Sequence, residues 1–260
     1  MKRLVELLRK TSRWKVQIGA LVVLNAYFLP WLKRIPCTAL NCHACPAAIF
    51  ACPIGAMQHS GTIRQVPIYV LGALGIVAIL IGRLSCGWFC PFGFLQDQLY
   101  RLRTPKISIR RNVVWIRYVV LVVLVGILPV ITYKLWFCRL CPAGTLEAGI
   151  PVVLTDAAVR NRIDWFFGLK LGILALFLAA MVTIKRPFCR FVCPLGACYS
   201  PFNRHSLLQL EVDHESCHKC GRCREVCPVD IDISEDANST QCIRCLECAK
   251  ICPVSAVQHK

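Results

Sequence analysis

Acidic residues are scarce in this chain: 14 Asp and Glu stand against 31 Lys and Arg among 260 residues, for a formal net charge of +17 at pH 7. Nine of the 14 lie in the last 58 positions, so the tail from Asn203 is slightly acidic and the first 202 residues are strongly basic. Those basic residues stand at the ends of apolar runs, which is typical of membrane orientation and not of nucleic-acid binding. The sequence therefore predicts no nucleic-acid partner.

Motifs for independent substrate chemistry are also absent. The sequence contains no nucleotide-binding loop, no flavin fingerprint and no Cys-x2-Cys-His haem attachment. No small-residue cleavage site follows the basic amphipathic segment 1–15, so we expect an uncleaved anchor. The 19 cysteines follow no extracellular scaffold pattern, which favours metal ligands over disulfides. The chain is thus expected to be a subunit that works with a partner.

Apolar residues are abundant, at 56% of the chain with a mean hydropathy of +0.55, which is too apolar for a soluble protein. Four runs, 16–32, 66–82, 113–133 and 165–184, approach the ~20 residues that span a ~30 Å hydrocarbon core. Within residues 1–202, the predicted inner segments carry 16 Lys and Arg, counting Arg117 near the start of the third run, and the outer loops carry seven. This bias predicts a multi-pass protein of a bacterial or archaeal inner membrane, with both termini cytoplasmic.

Two cysteine runs near the C-terminus share one spacing, Cys-x2-Cys-x2-Cys-x3-Cys-Pro. In two-cluster bacterial ferredoxins, each run gives three thiolates to one 4Fe-4S cluster and its fourth thiolate to the other. The predicted ligands are Cys217, Cys220, Cys223 and Cys252 for the first cluster, and Cys242, Cys245, Cys248 and Cys227 for the second. A zinc site would use two pairs, and a triple followed by Cys-Pro has no zinc rationale.

Cysteine pairs also occur between the apolar runs. The order span, Cys-x2-Cys-Pro, span, Cys-x3-Cys-Pro occurs twice, which predicts two parallel repeats, 16–100 and 113–202, related by an axis along the membrane normal. We predict an inner site of Cys86, Cys90, Cys189 and Cys193, and an outer site of Cys42, Cys45, Cys138 and Cys141, with Cys52 as a competing ligand. The alternative is that these Cys-Pro turns only cap helices and the cysteines pack as small core residues. Cys37 and Cys198 are interpreted as structural.

These patterns predict a mainly α protein of three parts. Residues 1–15 form a cytoplasmic basic amphipathic segment, and residues 16–202 a four-span transmembrane helical domain with re-entrant cysteine loops. Residues 203–260 form an α+β bacterial-type ferredoxin domain with two 4Fe-4S clusters. Up to two further 4Fe-4S clusters are predicted in the membrane domain.

Two segments carry a family resemblance: CGWFCPFGFLQD at 86–97 and CRFVCPLGA at 189–197. On a four-span chain that ends in a double-cluster ferredoxin, they resemble the NapH and NosR group of membrane-bound polyferredoxins. The resemblance implies an electron-transfer subunit that works with the quinone pool and a partner redox enzyme. The segments NCHACPAAIFACPIGA and FCRLCPAGTLEAGIP are a departure, since the outward loops of the nitrate-reduction members lack these pairs, and they indicate a separate branch.

The function that this sequence favours is a redox conduit. Electrons would pass between cytoplasmic ferredoxin clusters, membrane-embedded clusters and a quinone pool or a periplasmic redox partner such as a cytochrome or reductase, with a cytoplasmic electron donor. One alternative is a quinol dehydrogenase without an outer cluster, for which Asp97, Glu147 and His43 are the candidate titratable groups. Another is a redox assembly or maturation factor of a respiratory enzyme. These residues do not decide whether the chain is itself an enzyme or only an electron-transfer subunit of an oxidoreductase complex.

Overall fold

The chain is described by a computed structural model over residues 2–24, 38–42, 52–109, 111–161 and 163–259. The described part is mostly helical, as predicted. The helices of the first half are α1 Lys2–Lys10, α2 Arg13–Leu24, α3 Pro53–Thr62, α4 Ile68–Ile81, α5 Leu84–Trp88, α6 Pro91–Tyr100, α7 Ile116–Val119 and α8 Leu128–Thr132. Those of the second half are α9 Trp136–Leu140, α10 Pro142–Gly144, α11 Ile150–Thr155, α12 Ala157–Arg160, α13 Trp165–Thr183, α14 Pro187–Phe191, α15 Pro194–Tyr199, α16 Arg222–Glu225 and α17 Glu247–Ile251.

Among the residues that the structure describes, two helices are long and apolar enough to cross a membrane. A 3-10 turn, α7, a π-helical stretch at Val120–Ile127 and α8 join into one helix, Val113–Thr132, and α13 is the other. Their most apolar windows are only 22% and 11% buried within the protein. A helix of a soluble core would bury most of its apolar surface, so the exposed faces of these two helices favour a lipid environment. They coincide with the third and fourth predicted spans.

The first two predicted spans have a different outcome. Helix α4 coincides with the second and is apolar, but its 14 residues fall short of a full bilayer crossing. Helix α2 covers the start of the first span and ends at Leu24, and residues 25–32 lie outside the described part of the chain. The four-span topology therefore stays a prediction.

Aromatic packing joins the two halves of the membrane domain. The ring of Phe188 in α14 meets Phe92 of α6 at 5.1 Å between centroids and Phe177 of α13 at 5.4 Å, both edge to face. Phe92, Phe188 and Met181 are almost completely buried. Edge-to-face rings add to the stability that burial gives. This cluster fixes the end of α13 against α6, beside the predicted inner site.

The ferredoxin segment is closed by a short sheet. Strand β1, Leu210–Val212, pairs antiparallel with β2, Val257–His259, with Leu210 opposite His259 and Val212 opposite Val257. The two short helices α16 and α17 each lie within one cysteine run, between its second and fourth cysteines. This arrangement has the α+β character predicted for the segment.

Candidate iron-sulfur sites

Two cavities in the ferredoxin segment are lined by the predicted ligands. The first has a volume of about 430 Å³, and its cysteines are Cys217, Cys220, Cys223 and Cys252. The second is much smaller, and its cysteines are Cys223, Cys227, Cys242, Cys245 and Cys248. Thus Cys227 lies with the second run and Cys252 with the first, the exchange expected of a two-cluster ferredoxin, with Cys223 bordering both cavities. The assignment of ligands to each cluster stays a prediction.

The thiols of the second run are buried close together. The pKa of Cys242 is raised to about 12 and that of Cys245 to about 11, chiefly by burial and to a lesser extent by the nearby Cys227. Thiols bind metal as thiolates, so cluster assembly here must release protons. In the described part of the chain, no three His, Cys, Asp or Glu side chains converge closely enough for a single metal ion. A 4Fe-4S cube places its thiolates on separate iron atoms, so this spacing fits a cluster better than zinc.

A short motif, Cys-Pro-x-Gly, begins a helix at four places in the proposed membrane domain. In each, the cysteine is the N-cap and proline takes the first helical position. The four cysteines are Cys52, Cys90, Cys141 and Cys193. At the inner site the amide of the glycine also donates to the sulfur: Gly93 N lies 3.3 Å from Cys90 Sγ, and Gly196 N lies 3.4 Å from Cys193 Sγ. These two hydrogen bonds would stabilise a thiolate at Cys90 and at Cys193.

Two arginines bind the two halves of the inner site in a reciprocal way. Arg83 and Arg186 each stand three residues before a cysteine of that site, and both are about 1% exposed. Arg83 Nη2 donates to the carbonyl oxygen of Cys189 at 3.3 Å, and Arg186 Nη1 donates to that of Cys86 at 3.0 Å. The charges of Cys86, Cys189 and Cys193 all act on Cys90, so the structure brings the four predicted thiols together.

A glutamine fixes the position of one of these thiols. Gln96, fully buried on α6, donates from Nε2 to Cys189 Sγ at 3.0 Å and to Phe92 O at 3.3 Å. Its Oε1 accepts a hydrogen bond from Phe188 N at 3.2 Å. One side chain therefore holds both the sulfur and the backbone of the opposite cysteine loop.

The inner site also carries buried positive charge without a counterion. No ion pair joins Arg83 or Arg117 to a carboxylate among the described residues, and both side chains are buried. Arg83 Nε and Ser85 Oγ are buried, and neither atom has a hydrogen-bond partner among the described residues. Buried unpaired cations are costly, and four thiolates on a cluster would supply the compensating negative charge. The residues present therefore fit an anionic thiolate cluster.

The structure also brings outer cysteines together, with Cys52 beside three members of the predicted outer site. Cys52 and Cys141 are buried, and each lies within electrostatic range of Cys42 and Cys138. We name these four residues the outer thiol group. Cys45, which the sequence placed in the outer site, lies outside the described residues, as do Cys37 and His43.

The ferredoxin segment packs on the inner cysteine loop. Trp88 Nε1 donates to Arg244 O at 3.2 Å, and Arg83 Nη1 donates to the carbonyl oxygens of Thr240 and Gln241 at 3.0 and 3.2 Å. A Cβ on Gly87 would collide with the carbonyl oxygen of Ile243. Gly87 lies between the two cysteines of the inner loop, and Ile243 lies between two cysteines of the second ferredoxin run. The two cysteine loops are therefore in direct backbone contact.

A cavity of about 370 Å³ opens beside this contact. It is lined by α2, α6 and the ferredoxin segment, and Asp97 lies in its wall between Arg13 and Arg186. Burial by itself would raise the pKa of Asp97, but the charge and hydrogen bonds of Arg186 and the charge of Arg13 lower it. Arg186 donates from Nε and Nη2 to the two carboxylate oxygens at 2.7 and 2.6 Å. Asp97 therefore stays ionised and paired, which disfavours it as a proton acceptor for quinol.

Sequence reasoning missed several residues of these sites. Gln58, Gln96, Arg83 and Arg186 were not predicted, although two signals mark them. Glutamine occupies the sixth position after Cys52 and after Cys90, and arginine the third position before Cys86 and before Cys189. Each signal occurs twice, at equivalent positions of the cysteine loops.

Comparison with protein families gives two matches to models described as 4Fe-4S binding domain. One model covers residues 63–110 and 165–209, which contain all four cysteines of the inner site. The other covers residues 210–231, the first ferredoxin cysteine run. The outer thiol group lies outside both matches.

Several curated proteins are similar to this chain. An uncharacterised protein of Methanocaldococcus jannaschii is 32% identical over 67% of this chain and 70% of its own length. The methylamine utilization ferredoxin-type protein MauN of Methylorubrum extorquens is 31% identical over 61% of this chain and 53% of its length. The ferredoxin-type protein NapH of Escherichia coli is 30% identical over 56% and 47%. The chain thus spans about half the length of the MauN and NapH relatives it matches. No solved structure matches the chain.

Proposed function

The chain belongs to the NapH-type family of 4Fe-4S polyferredoxins, and we propose that it carries electrons between its ferredoxin clusters and a thiolate cluster of the inner site. It is a ferredoxin-type electron-transfer protein whose cofactors are 4Fe-4S clusters. The proposed route continues from the inner site to a quinone pool or to a redox partner on the opposite face of the membrane. Such clusters supply one-electron transfer when bound.

The observation that carries this proposal is the contact between the two cysteine loops. Gly87 has no side chain to hold the Ile243 carbonyl oxygen away, so the two loops approach each other at their backbones. Arg83 contacts the backbone of Cys189 on one side and that of Thr240 on the other, so one guanidinium joins both proposed cluster sites. On this proposal, the second ferredoxin cluster, and not the first, would lie next to the inner site.

The proposed membrane orientation is supported by the position of the N-terminal helix. Arg9 Nη2 donates to Ala249 O at 3.2 Å, and Lys250 Nζ donates to Thr11 O at 3.1 Å. The N-terminal segment and the ferredoxin domain therefore lie on the same side of the proposed membrane domain, residues 16–202. The basic residues of the inner segments favour the cytoplasmic side for both.

The route is tested by Gly87→Ala in the full-length protein, purified anaerobically in lipid vesicles. The added methyl separates the two loops, so we expect electron transfer from the reduced ferredoxin clusters to menaquinone to slow at least tenfold. The ferredoxin signals in electron paramagnetic resonance (EPR) spectra should persist. Gly72→Ala in α4 is the matched control, because nothing lies within 4 Å of a Cβ there. The route would be contradicted if Gly87→Ala transferred electrons at the wild-type rate. It would also be contradicted if the EPR spectrum of the wild-type protein showed no magnetic coupling between the second ferredoxin cluster and the inner centre.

A second candidate, quinol oxidation at the inner side, is favoured by the cavity of about 370 Å³. Its wall includes Gln96, which contacts Cys189, and Cys227 of the ferredoxin, so a quinone ring there would meet both proposed clusters. Trp14 and Tyr100 supply aromatic walls. A photoreactive quinone analogue should label one of these two residues, with excess quinone preventing the labelling. Labelling only on the lipid-facing helices would exclude this cavity.

A further inference from the structure

Gln58 repeats, at the outer thiol group, each contact that Gln96 makes at the inner site. Its Nε2 donates to Cys138 Sγ at 3.1 Å and to Ile54 O at 3.4 Å, and its Oε1 accepts from Phe137 N at 3.0 Å. It is fully buried, as Gln96 is. Each glutamine thus reaches from the helix of one repeat to the sulfur and preceding amide of a cysteine in the other.

The repeated frame identifies the equivalent cysteines. Cys52 matches Cys90, since both begin the motif Cys-Pro-x-Gly-x-x-Gln. Cys52, like Cys90, is the N-cap of its helix, with proline at the first helical position. Cys45 also precedes a proline, but alanine stands where this motif has glycine. The frame therefore selects Cys52 over Cys45 as the equivalent of an inner-site thiol.

The remaining members of the outer group fit the same frame. Cys141 is the N-cap of α10, as Cys193 is of α15. Cys42 Sγ lies 3.4 Å from the position that a Cβ on Gly144 would take. The amide of Cys42 donates to Glu147 Oε2 at 2.8 Å. Glu147 stands six residues after Cys141, the position that glutamine holds after Cys52 and after Cys90.

The outer thiol group and the inner site are carried by elements that pack on different parts of the long helix Val113–Thr132. Its start, in α7, packs on α14, which carries Cys189, and on α15, which follows Cys193. Its end, in α8, packs on α3, which follows Cys52, and a Cβ on Gly61 would lie 3.6 Å from Pro129 Cβ. We therefore expect a centre at the outer group to be separate from the inner one.

We propose that Cys42, Cys52, Cys138 and Cys141 hold a thiolate-ligated 4Fe-4S cluster, a second membrane centre built on the same frame as the inner site. Cys52 and Cys141 are buried there and Cys42 and Cys138 are partly buried, and four thiolates are the donor set of a 4Fe-4S cluster. The centre deepens the proposed electron route, and its role as a one-electron carrier beyond the inner site rests on that route.

The test is iron and acid-labile sulfide per chain in the full-length protein, purified and reconstituted anaerobically with iron and sulfide. Four clusters require about 16 iron atoms in the wild type. Cys52→Ser should lose about a quarter of the iron and one EPR signal of the dithionite-reduced protein. Cys45→Ser and Cys198→Ser, which lie outside both frames, should keep the full iron content and all signals.

Several results would overturn the proposal. About 12 iron atoms in the reconstituted wild type would leave no iron for the outer group, and this measurement does not depend on the folding of any variant. One zinc ion per chain in the reconstituted protein, in place of the iron expected at the outer thiol group, would show that the group holds zinc and not a cluster. If Cys45→Ser lost the quarter of iron that Cys52→Ser kept, the proposed ligand set would be wrong.

The experiment also separates this centre from the electron route. Gly87→Ala disturbs only the contact with the ferredoxin, so it should keep about 16 iron atoms and the outer signal. Normal electron transfer in Gly87→Ala together with a full outer centre would contradict the route alone. A wild type with 12 iron atoms that still reduces quinone would contradict the outer centre alone.

Discussion

Buried arginines surround the inner site, whereas the outer thiol group faces one partly buried lysine and one carboxylate. Arg83, Arg117 and Arg186 each lie within hydrogen-bond or electrostatic range of an inner-site cysteine and are almost completely buried. At the outer group, Lys170 lies within electrostatic range of Cys42, Cys138 and Cys141, and Glu147 binds the backbone of Cys42. The thiol frame is thus repeated while the charge around it is not.

This difference separates two properties of a metal centre. The cysteines and the glutamine determine where a cluster can bind, and the surrounding charges and hydrogen bonds adjust its reduction potential. Reduction adds a negative charge, so nearby buried cations favour the reduced state. We therefore expect the inner centre to have the higher potential of the two.

The largest effects are expected from the thiols themselves. Cys86→Ser and Cys189→Ser should each remove the same EPR signal, because these residues come from different repeats but share one site. Cys42→Ser and Cys138→Ser should remove a second signal and leave the first. Cys198→Ser, close to Cys86 but outside the frame, is the control. If Cys86→Ser and Cys189→Ser removed different signals, the pairing of repeats at the inner site would be wrong.

Removing an inner cation should have the next largest effect. A unit charge roughly 7 Å from the cluster at an effective dielectric constant near 20 contributes about 2 kcal/mol. Arg83→Gln should therefore lower the inner potential by about 100 mV in an EPR-monitored redox titration and leave the outer potential unchanged.

Arg103→Gln is the matched control, since Arg103 is exposed in the loop after α6 and should not shift either centre. An equal shift of both potentials by Arg83→Gln would indicate a general structural change. No shift at the inner centre would contradict the charge comparison.

Local patterns in the sequence predicted part of this arrangement. Within each ferredoxin run, neighbouring cysteines are separated by only two or three residues, and each of the two long helices appears as an apolar run with a single basic residue, Arg117 or Lys170. Both features are therefore readable without knowledge of the tertiary structure. The helix Val113–Thr132 coincides with a predicted span within a residue at either end. The family resemblance was confirmed by the relatives.

The contacts between repeats were not readable in this way. Gln58 binds Cys138 across 80 positions and Arg83 binds Cys189 across 106, and a single polar residue in an apolar segment does not show which distant loop it meets. Cys42 and Cys45 form a regular pair by spacing, so Cys52 was given the lesser role. Only the shared frame around Gln58 and Gln96 favours Cys52.

The two glutamines should have a smaller and reciprocal effect. A hydrogen bond to sulfur stabilises the reduced cluster, and a net contribution of about 1 kcal/mol corresponds to roughly 40 mV. Gln96→Leu should lower only the inner potential by this amount, and Gln58→Leu only the outer one. Gln98→Leu, on the same helix as Gln96 but not in contact with a thiol, is the control. Crossed effects, with Gln58→Leu shifting the inner signal, would show that the frames are not equivalent.

The smallest effect is expected at Lys170, the cation of the outer group. It is only partly buried, so solvent and salt screen its charge far more than that of Arg83. Lys170→Gln should lower the outer potential by less than the loss of Gln58 does, and the difference should shrink as the salt concentration rises. Potentials of both centres at low and high salt provide the measurement, with Lys134→Gln in the same outer region as the control. A shift at the outer centre as large as that of Arg83→Gln at the inner one, and insensitive to salt, would mean that the outer thiol group is as strongly charged as the inner site.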